Sequence, residues 1–382
     1  MTPDSMTHDP RRKVTITDVT LTIFRWTGLT PVTYTRQGTP PKGESHIGLV
    51  SIHTDAGVTG HSFLGSSFRP VDSDAKGFIE ILKPVVLGEN ALDRDRLHRL
   101  LMIKARAVML RTIGAVDVAL WDIAGKIAGL PVCDLIGRSK ARIPAYASSS
   151  TLPSIEAYVE QALDVKAQGY RGYKMHPPHD QALHVRMLEK VREAVGDEFP
   201  LMYDPAMIYS YPEAVRIGRV LERTGYLWFE DPLPVDDMYG YQKLCADLDV
   251  AVMATEYSHG GFPGYGPWIS MKATDALRGD VAIKGGFTPC LKAAHLAEAF
   301  HMNFEIHHGG NSVNNVANLH LALAIPNCSF FEVLLPHSAQ KYGLVHDLEI
   351  GPDGCLAPSL APGLGADIDF DLIKSQCVAV LE

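Results

Sequence analysis

Residues 170–176 read YRGYKMH, 199–205 read FPLMYDP and 226–232 read YLWFEDP: three short apolar runs, each carrying near its end a side chain that can bind a metal or move a proton. The pattern continues through VAVMATE (250–256), ALRGD (276–280), NFEIH (303–307) and SFFEVLLP (329–336). Lys174, Asp204, Glu230, Glu256, Asp280, His307 and Glu332 thus recur at the period of one strand plus one helix, a typical step being 230 − 204 = 26 residues. Short apolar strands alternating with helical stretches imply a parallel α/β sheet. When such a sheet closes into a barrel, the carboxyl ends of its strands converge on one mouth, so the ladder describes an active site.

Outward from the ladder, the βα alternation begins at about Ile143 and runs to about residue 341. Before it the order is strands, then helices. VTITDVTLTIF (14–24) and HIGLVSIHTDAGVTGHSFLG (46–65) alternate like strands, with Asp55-Ala56-Gly57 as a hairpin turn. Helical patterns follow over 74–87 and 93–106, and then TIGAVDVALWDIAGKIAGLPV (112–132). There Ile113, Val116, Leu120, Ile123 and Ile127 share one face, and Gly129 and Pro131 end the helix. The reading is an α+β domain over 1–142, a barrel over 143–341, and a tail over 342–382 that packs back on the first domain. Between the first two strands, Thr27 to Ser45 is rich in Thr, Pro and Gly and has the length of a functional lid.

At 382 residues the chain exceeds the usual single core, which fits a barrel plus a second domain. A formal net charge of −9, with no basic run beyond Arg11-Arg12-Lys13, argues against a nucleic-acid surface or a polybasic membrane patch. Six scattered cysteines form no Cys-x-x-Cys pair, so reduced thiols are expected. The first residues lack the apolar core of a secretory signal and no later stretch is long enough to span a bilayer, so a cytoplasmic protein is expected.

Asp204, Glu230 and Glu256 place three carboxylates on three successive strand ends. Three hard oxygen ligands with no Cys or His favour magnesium, with manganese as a substitute, over zinc, and leave positions for water and substrate. An acid after a strand is often only a helix cap, but caps require no shared register. Lys174 and His176, two residues apart on a strand, point to the same face. His176 could alternatively be a rim histidine held by its own hydrogen bond. Asp280 and His307 come from neighbouring strands, where a carboxylate would fix the histidine tautomer and raise its basicity. His308 competes with His307, and strand alternation would turn only one of them inward.

This set resembles the enolase superfamily, and within it the mandelate racemase subgroup. The helix AVDVALWDIAGKIAGLPV, the KGGFTP segment after Asp280 and the closing APGLGAD add to the likeness, which extends over about residues 14 to 370. The resemblance implies an eightfold βα barrel closed by an α+β capping domain, and a homo-oligomer. It implies one magnesium held by Asp204, Glu230 and Glu256, and Lys174 facing the substrate carboxylate. His176 would stand where a second lysine base is common, Asp280 and His307 would form a dyad on the opposite face, and Glu332 would hydrogen-bond the developing enediolate. Lys-x-His in place of Lys-x-Lys and Ala206 after the first ligand are departures. Lys284, four residues after Asp280, is read as structural.

Removing a proton α to a carboxylate creates a dianionic enediolate that water stabilises poorly, and a divalent metal with fixed donors lowers that barrier. The expected reaction is dehydration of an acid sugar or related 2,3-dihydroxy carboxylate to a 2-keto acid, with His307 as the acid for the departing hydroxyl. The alternative is a 2-hydroxy-acid racemase or epimerase using His176 and His307 on opposed faces. Cycloisomerase or dipeptide-epimerase activity is weakened by the missing lysines, and a non-catalytic binding barrel would waste a complete ligand and dyad set. The partner expected is a small carboxylate, with specificity in the 27–45 loop and around Ser66 to Val71.

Overall fold

The computed structural model describes residues 13–34 and 43–382. The centre of the expected lid, residues 35–42, lies outside the described residues. The chain opens with an antiparallel hairpin pair, β1 (Ile16–Thr27), β2 (Glu44–Thr54) and β3 (Thr59–Leu64), with the turn at Asp55–Gly57 as read from sequence. The expected helix over 74–87 is two short α-helices, Asp72–Gly77 and Lys83–Val86, joined by a π-helical turn at Phe78–Leu82.

Eight parallel strands follow in ring order: β4 (Ile143–Ser148), β5 (Tyr173–Met175), β6 (Leu201–Tyr203), β7 (Trp228–Glu230), β8 (Ala251–Ala254), β9 (Ala276–Gly279), β10 (Asn303–Ile306) and β11 (Phe331–Leu334). The seven-rung ladder lacks β4 because its run IPAYAS ends in Ser148, not in an acid or base. β11 pairs with β4, closing most of the ring, while β10 and β11 touch without a ladder. Strand side chains alternate as the pleat requires: Tyr173 and Met175 join the core shared with the surrounding helices, and Lys174 between them is buried inside the barrel. Tyr146, Met202, Trp228 and Met253 form a separate apolar layer within. The tail contributes β12 (Cys355–Leu356), antiparallel to β4, and β13 (Cys377–Leu381), which pairs with β1 at the edge of the first sheet. Among the described residues no helix is long and apolar enough to cross a membrane.

The helix Leu110–Ala128 locks the two domains together. Its buried Ile113, Val116, Leu120 and Ile123 pack into the core of the first domain, and Gly129 ends it in the left-handed conformation. The opposite side meets the barrel. A Cβ on Gly114 would lie 2.5 Å from the carbonyl of Val281, so only glycine lets the helix approach the turn after β9. Asp117, fully buried, accepts from the backbone N–H (3.0 Å) and hydroxyl (2.6 Å) of Thr288. Asp122 accepts from the N–H groups of His61 and Leu364, tying sheet, barrel helix and tail to one element. A lost buried network of this kind costs several times a single hydrogen bond, about 1 kcal/mol each.

Candidate active site

Five rungs of the ladder stand at or just beyond the ends of their strands, while Lys174 and Glu332 lie within β5 and β11, deeper in the barrel. Glu230 is the last residue of β7, Asp204, Asp280 and His307 immediately follow β6, β9 and β10, and Glu256 lies two residues past β8. Ligand oxygens of Asp204, Glu230 and Glu256 all fall within 4.8 Å of one another, and all three side chains are buried. The backbone beside each is forced into the left-handed region that disfavours side chains: Ala206 at φ 52°, Asp231 at φ 35° and Thr255 at φ 89°. Strain at all three strand ends marks positions where the surroundings, not local preference, dictate the geometry.

The triad does not satisfy itself. Burial first, and then the neighbouring charges of Asp204, Asp231 and Glu230, drive the Glu256 carboxyl well above its usual range. Around the barrel interior six buried carboxylates (Asp204, Glu230, Asp231, Glu256, Asp280 and Glu332) face three buried cations, Lys174, Arg278 and Lys284. An all-oxygen triad with surplus negative charge fits a hard divalent cation and not a soft one.

Lys174 Nζ lies 2.9 Å from Glu230, 2.9 Å from Glu332 and 3.3 Å from Asp204. Burial alone would lower its pKa, but Glu230 and Glu332 hold it well above the usual value. Arg278, absent from the sequence-derived set, crosses the barrel interior: it donates to Glu230 (2.6 Å), Glu332 (2.7 Å), the Tyr146 hydroxyl (2.9 Å) and the carbonyl of Ile306 (2.8 Å). Its signal was its place two residues before Asp280, on the same strand face.

Above this floor a cavity of about 430 Å³ lies between the barrel mouth and the first domain. His176, Asp204, Glu256, Asp280, His307 and His308 line it from below. Lys174 and Glu332 lie beneath this lining, in the floor. Glu332 is committed to Lys174, Arg278 and the N–H of His308 (3.0 Å), and although burial would raise its pKa, Lys174 and Arg278 keep it well below the usual range.

The dyad is present as geometry. His307 Nδ1 lies 2.6 Å from Asp280 Oδ2, while Asp280 Oδ1 accepts from the N–H groups of Ala282 (2.7 Å) and Ile283 (2.9 Å). Buried Asn318 accepts from the N–H of Val281 and donates to the carbonyl of His307, both at 3.0 Å, so one side chain spaces the two loops. His307 Nε2 points to the cavity, 3.2 Å from Glu256. Burial moves the ring's pKa well below the ordinary histidine value, so its resting form is neutral.

His176 faces it from the other side of the ring. Nδ1 lies 2.6 Å from the carbonyl of Ser149, which makes Nδ1 the donor, and Nε2 lies 3.1 Å from Asp204. Sequence gave this histidine no carboxylate partner; the structure supplies a member of the triad. Tyr34 packs edge-on against its ring at 5.4 Å.

One further expectation changes. His307 and His308 both line the cavity, because β10 ends at Ile306 and strand alternation no longer applies beyond it. Lys284, read from sequence as structural, lies past the end of β9 and is buried, donating to the carbonyl (2.9 Å) and hydroxyl (3.1 Å) of Ser258. Burial brings its pKa down to about 8.

Comparison with known proteins agrees with this architecture. The family described as "Mandelate racemase / muconate lactonizing enzyme, N-terminal domain" matches residues 18–137, and "Enolase C-terminal domain-like" matches residues 157–372. The D-xylonate dehydratase of Haloferax volcanii is 27% identical over 361 residues, covering 86% of this chain and 85% of that one. The L-talarate/galactarate dehydratase of Salmonella typhimurium is 31% identical over 255 residues, 63% of this chain and 61% of that one. A crystal structure of D-glucarate dehydratase from Agrobacterium tumefaciens, complexed with magnesium, superposes with a TM-score of 0.85 at 32% identity, covering 96% of this chain and all of that one.

Proposed function

We propose that this chain, which belongs to the enolase superfamily in its mandelate racemase / muconate lactonizing enzyme branch, dehydrates an acid sugar to a 2-keto acid. The observation that carries the reading is the His307–Asp280 dyad set against the carboxylate triad, whose Asp204 and Glu256 line the same cavity. Magnesium held by Asp204, Glu230 and Glu256 would supply positive charge against the substrate carboxylate as its α-proton leaves.

The chain's own residues divide the proton work. With Nδ1–H donated to Asp280, His307 presents the lone pair of Nε2 to the cavity and takes the α-proton. Asp280, itself fixed by two backbone donors, stabilises the imidazolium that results. That imidazolium then returns its proton to the departing 3-hydroxyl, water leaves, and the enol tautomerises to the keto acid. Lys174, Arg278 and Glu332 form a rigid charged floor that holds Glu230 in place, so no reorganisation is needed as charge develops. The low-lying Lys174 acts on the substrate carboxylate through that floor.

A second reading has its own observation: His176 also presents Nε2, from the opposite side of the ring, with its tautomer fixed by Ser149. Two opposed imidazoles suit a racemase or epimerase. A panel of acid sugars, incubated with magnesium in deuterium oxide and assayed for keto acid and for α-deuterium, separates the readings. Dehydration predicts keto acid from at least one sugar and its loss on chelation. Deuterium exchange with inverted configuration and no keto acid on any sugar would replace dehydratase by epimerase.

A further inference from the structure

The first domain contributes two guanidinium groups to the cavity wall, and their environments differ. Arg111 is neutralised by buried Asp74, at 2.8 and 2.9 Å. The Arg69 side chain has no hydrogen bond or ion pair among the described residues, although its backbone is tightly held. Its N–H donates to Ser66 Oγ (3.1 Å) and its carbonyl accepts from the N–H of Ser66 (2.9 Å). The same loop is fastened by Asn311 to the carbonyl of Gly65 (2.9 Å) and by the Ser67 hydroxyl to the carbonyl of Ala339 (2.8 Å). Arg69 is exposed at the cavity mouth on a loop fastened to two neighbouring segments, where a guanidinium can grip a planar anion through two parallel hydrogen bonds.

Beside that clamp stands Gln340, only 3% exposed, lining the same cavity. Its Nε2 donates to Ala339, and its Oε1 is buried with no partner. A buried acceptor left unmatched is destabilising, so its natural complement is a hydroxyl on whatever fills the cavity. At the catalytic end a divalent metal held by the triad, with the Lys174–Arg278 floor, would compensate one carboxylate. Arg69 offers the cap end a place for a second anion, which a sugar monoacid does not have.

We propose that the substrate is a sugar diacid: one carboxylate sits at the metal site, Arg69 binds the other, and Gln340 accepts from a hydroxyl between them. The proposal rests on the dehydratase reading for which end reacts, but not for what binds. The test compares matched pairs, D-glucarate with D-gluconate and galactarate with D-galactonate, on the magnesium-loaded wild type and on Arg69→Gln and Arg69→Lys. Calorimetric affinity is read beside keto acid formation, and the thermal midpoint checks that each variant folds.

The wild type should favour a diacid over its monoacid partner. Arg69→Gln should reduce that preference by about 10- to 100-fold, the worth of a charge-assisted pair, with Arg69→Lys between the two. A wild type that favours the monoacids, or a preference untouched by Arg69→Gln, overturns the proposal. If no pair yields keto acid, the affinities decide alone: diacid binding that weakens in Arg69→Gln sustains the diacid site while the dehydratase reading falls, and diacid binding that is absent or indifferent to Arg69 overturns the site as well.

Discussion

The two histidines of the barrel mouth offer a comparison within one molecule. Each presents Nε2 to the cavity, each touches a member of the acidic triad at close to 3 Å, and each has its Nδ1 held at 2.6 Å. They differ in what holds Nδ1. For His307 it is the carboxylate of Asp280; for His176 it is the neutral carbonyl of Ser149. Both partners fix the tautomer, but only a negative charge stabilises the imidazolium after a proton has been taken. The His307 side is thus built to be charged and discharged in each turnover, whereas the His176 side is built to stay oriented. The difference turns a symmetrical two-base mouth into one with a principal base and an auxiliary.

Replacing His307 by Asn should break the comparison most severely. It keeps a polar side chain of similar reach but removes the ring nitrogen facing the cavity, and kcat for keto acid formation should fall about 10³- to 10⁴-fold, near the top of the general acid–base range. The α-deuterium signal sharpens the outcome: its loss along with the keto acid assigns both proton steps to His307. Persisting exchange without elimination would give abstraction to His176 and leave His307 as acid only. Wild-type turnover in this variant would end the dyad reading.

Asp280→Asn should come next, at about 10²- to 10³-fold in kcat, for a reason the hydrogen bonds make explicit. The new side chain can still accept from Ala282 and Ile283 through its oxygen, so the fold should hold. Its NH₂ would then face His307 Nδ1 and push the ring proton onto Nε2, which turns the base into a donor. Activity near wild type, with an unchanged thermal midpoint, would show that the carboxylate's charge and tautomer control are dispensable.

How far the sequence revealed this asymmetry depends on the range of the interaction. The strand-end register is a local, periodic property, so the triad, Lys174, the dyad and the barrel were all legible from spacing. The partners that differentiate the histidines are not. Ser149 follows β4, the one strand without an acid or base at its end, and it acts through a backbone carbonyl, which any residue supplies. Asp204 serves both as a triad member and as the neighbour of His176 because β5 and β6 pair in register, with Met175 opposite Tyr203. Asn318 lies in mid-helix with no local signature, and its function exists only where two loops pass its side chain. The reading that failed, only one of His307 and His308 turned inward, carried strand alternation past the last residue of a strand.

Substituting His176 by Gln should cost less than either change to the dyad, about 10-fold in kcat, because an oriented auxiliary contributes less than the group that carries the proton. Gln can still approach Asp204, so metal affinity measured by titration should move little. A loss as large as that of His307→Asn would erase the proposed asymmetry and restore two equivalent bases, as the epimerase reading requires.

The smallest effect tests what keeps His176 in place. Tyr34 donates its hydroxyl to the carbonyl of Leu335 at 2.8 Å, and its ring stands edge-on to both Phe68 and His176, each at 5.4 Å. Tyr34→Phe removes the hydrogen bond and keeps the ring contacts. One neutral hydrogen bond is worth about 1 kcal/mol, so a change of about fivefold is the ceiling, and part of it should appear in KM because Tyr34 lines the substrate cavity. Tyr34→Ala removes the packing as well and frees one face of the His176 ring, while His307 keeps its hydrogen bond to Asp280. The expected signature is therefore a modest fall in keto acid formation with α-deuterium exchange reduced in proportion. If Tyr34→Ala instead abolishes turnover while the thermal midpoint is unchanged, the orientation of His176 is as necessary to the chemistry as the charge state of His307, and the auxiliary role assigned to it is wrong.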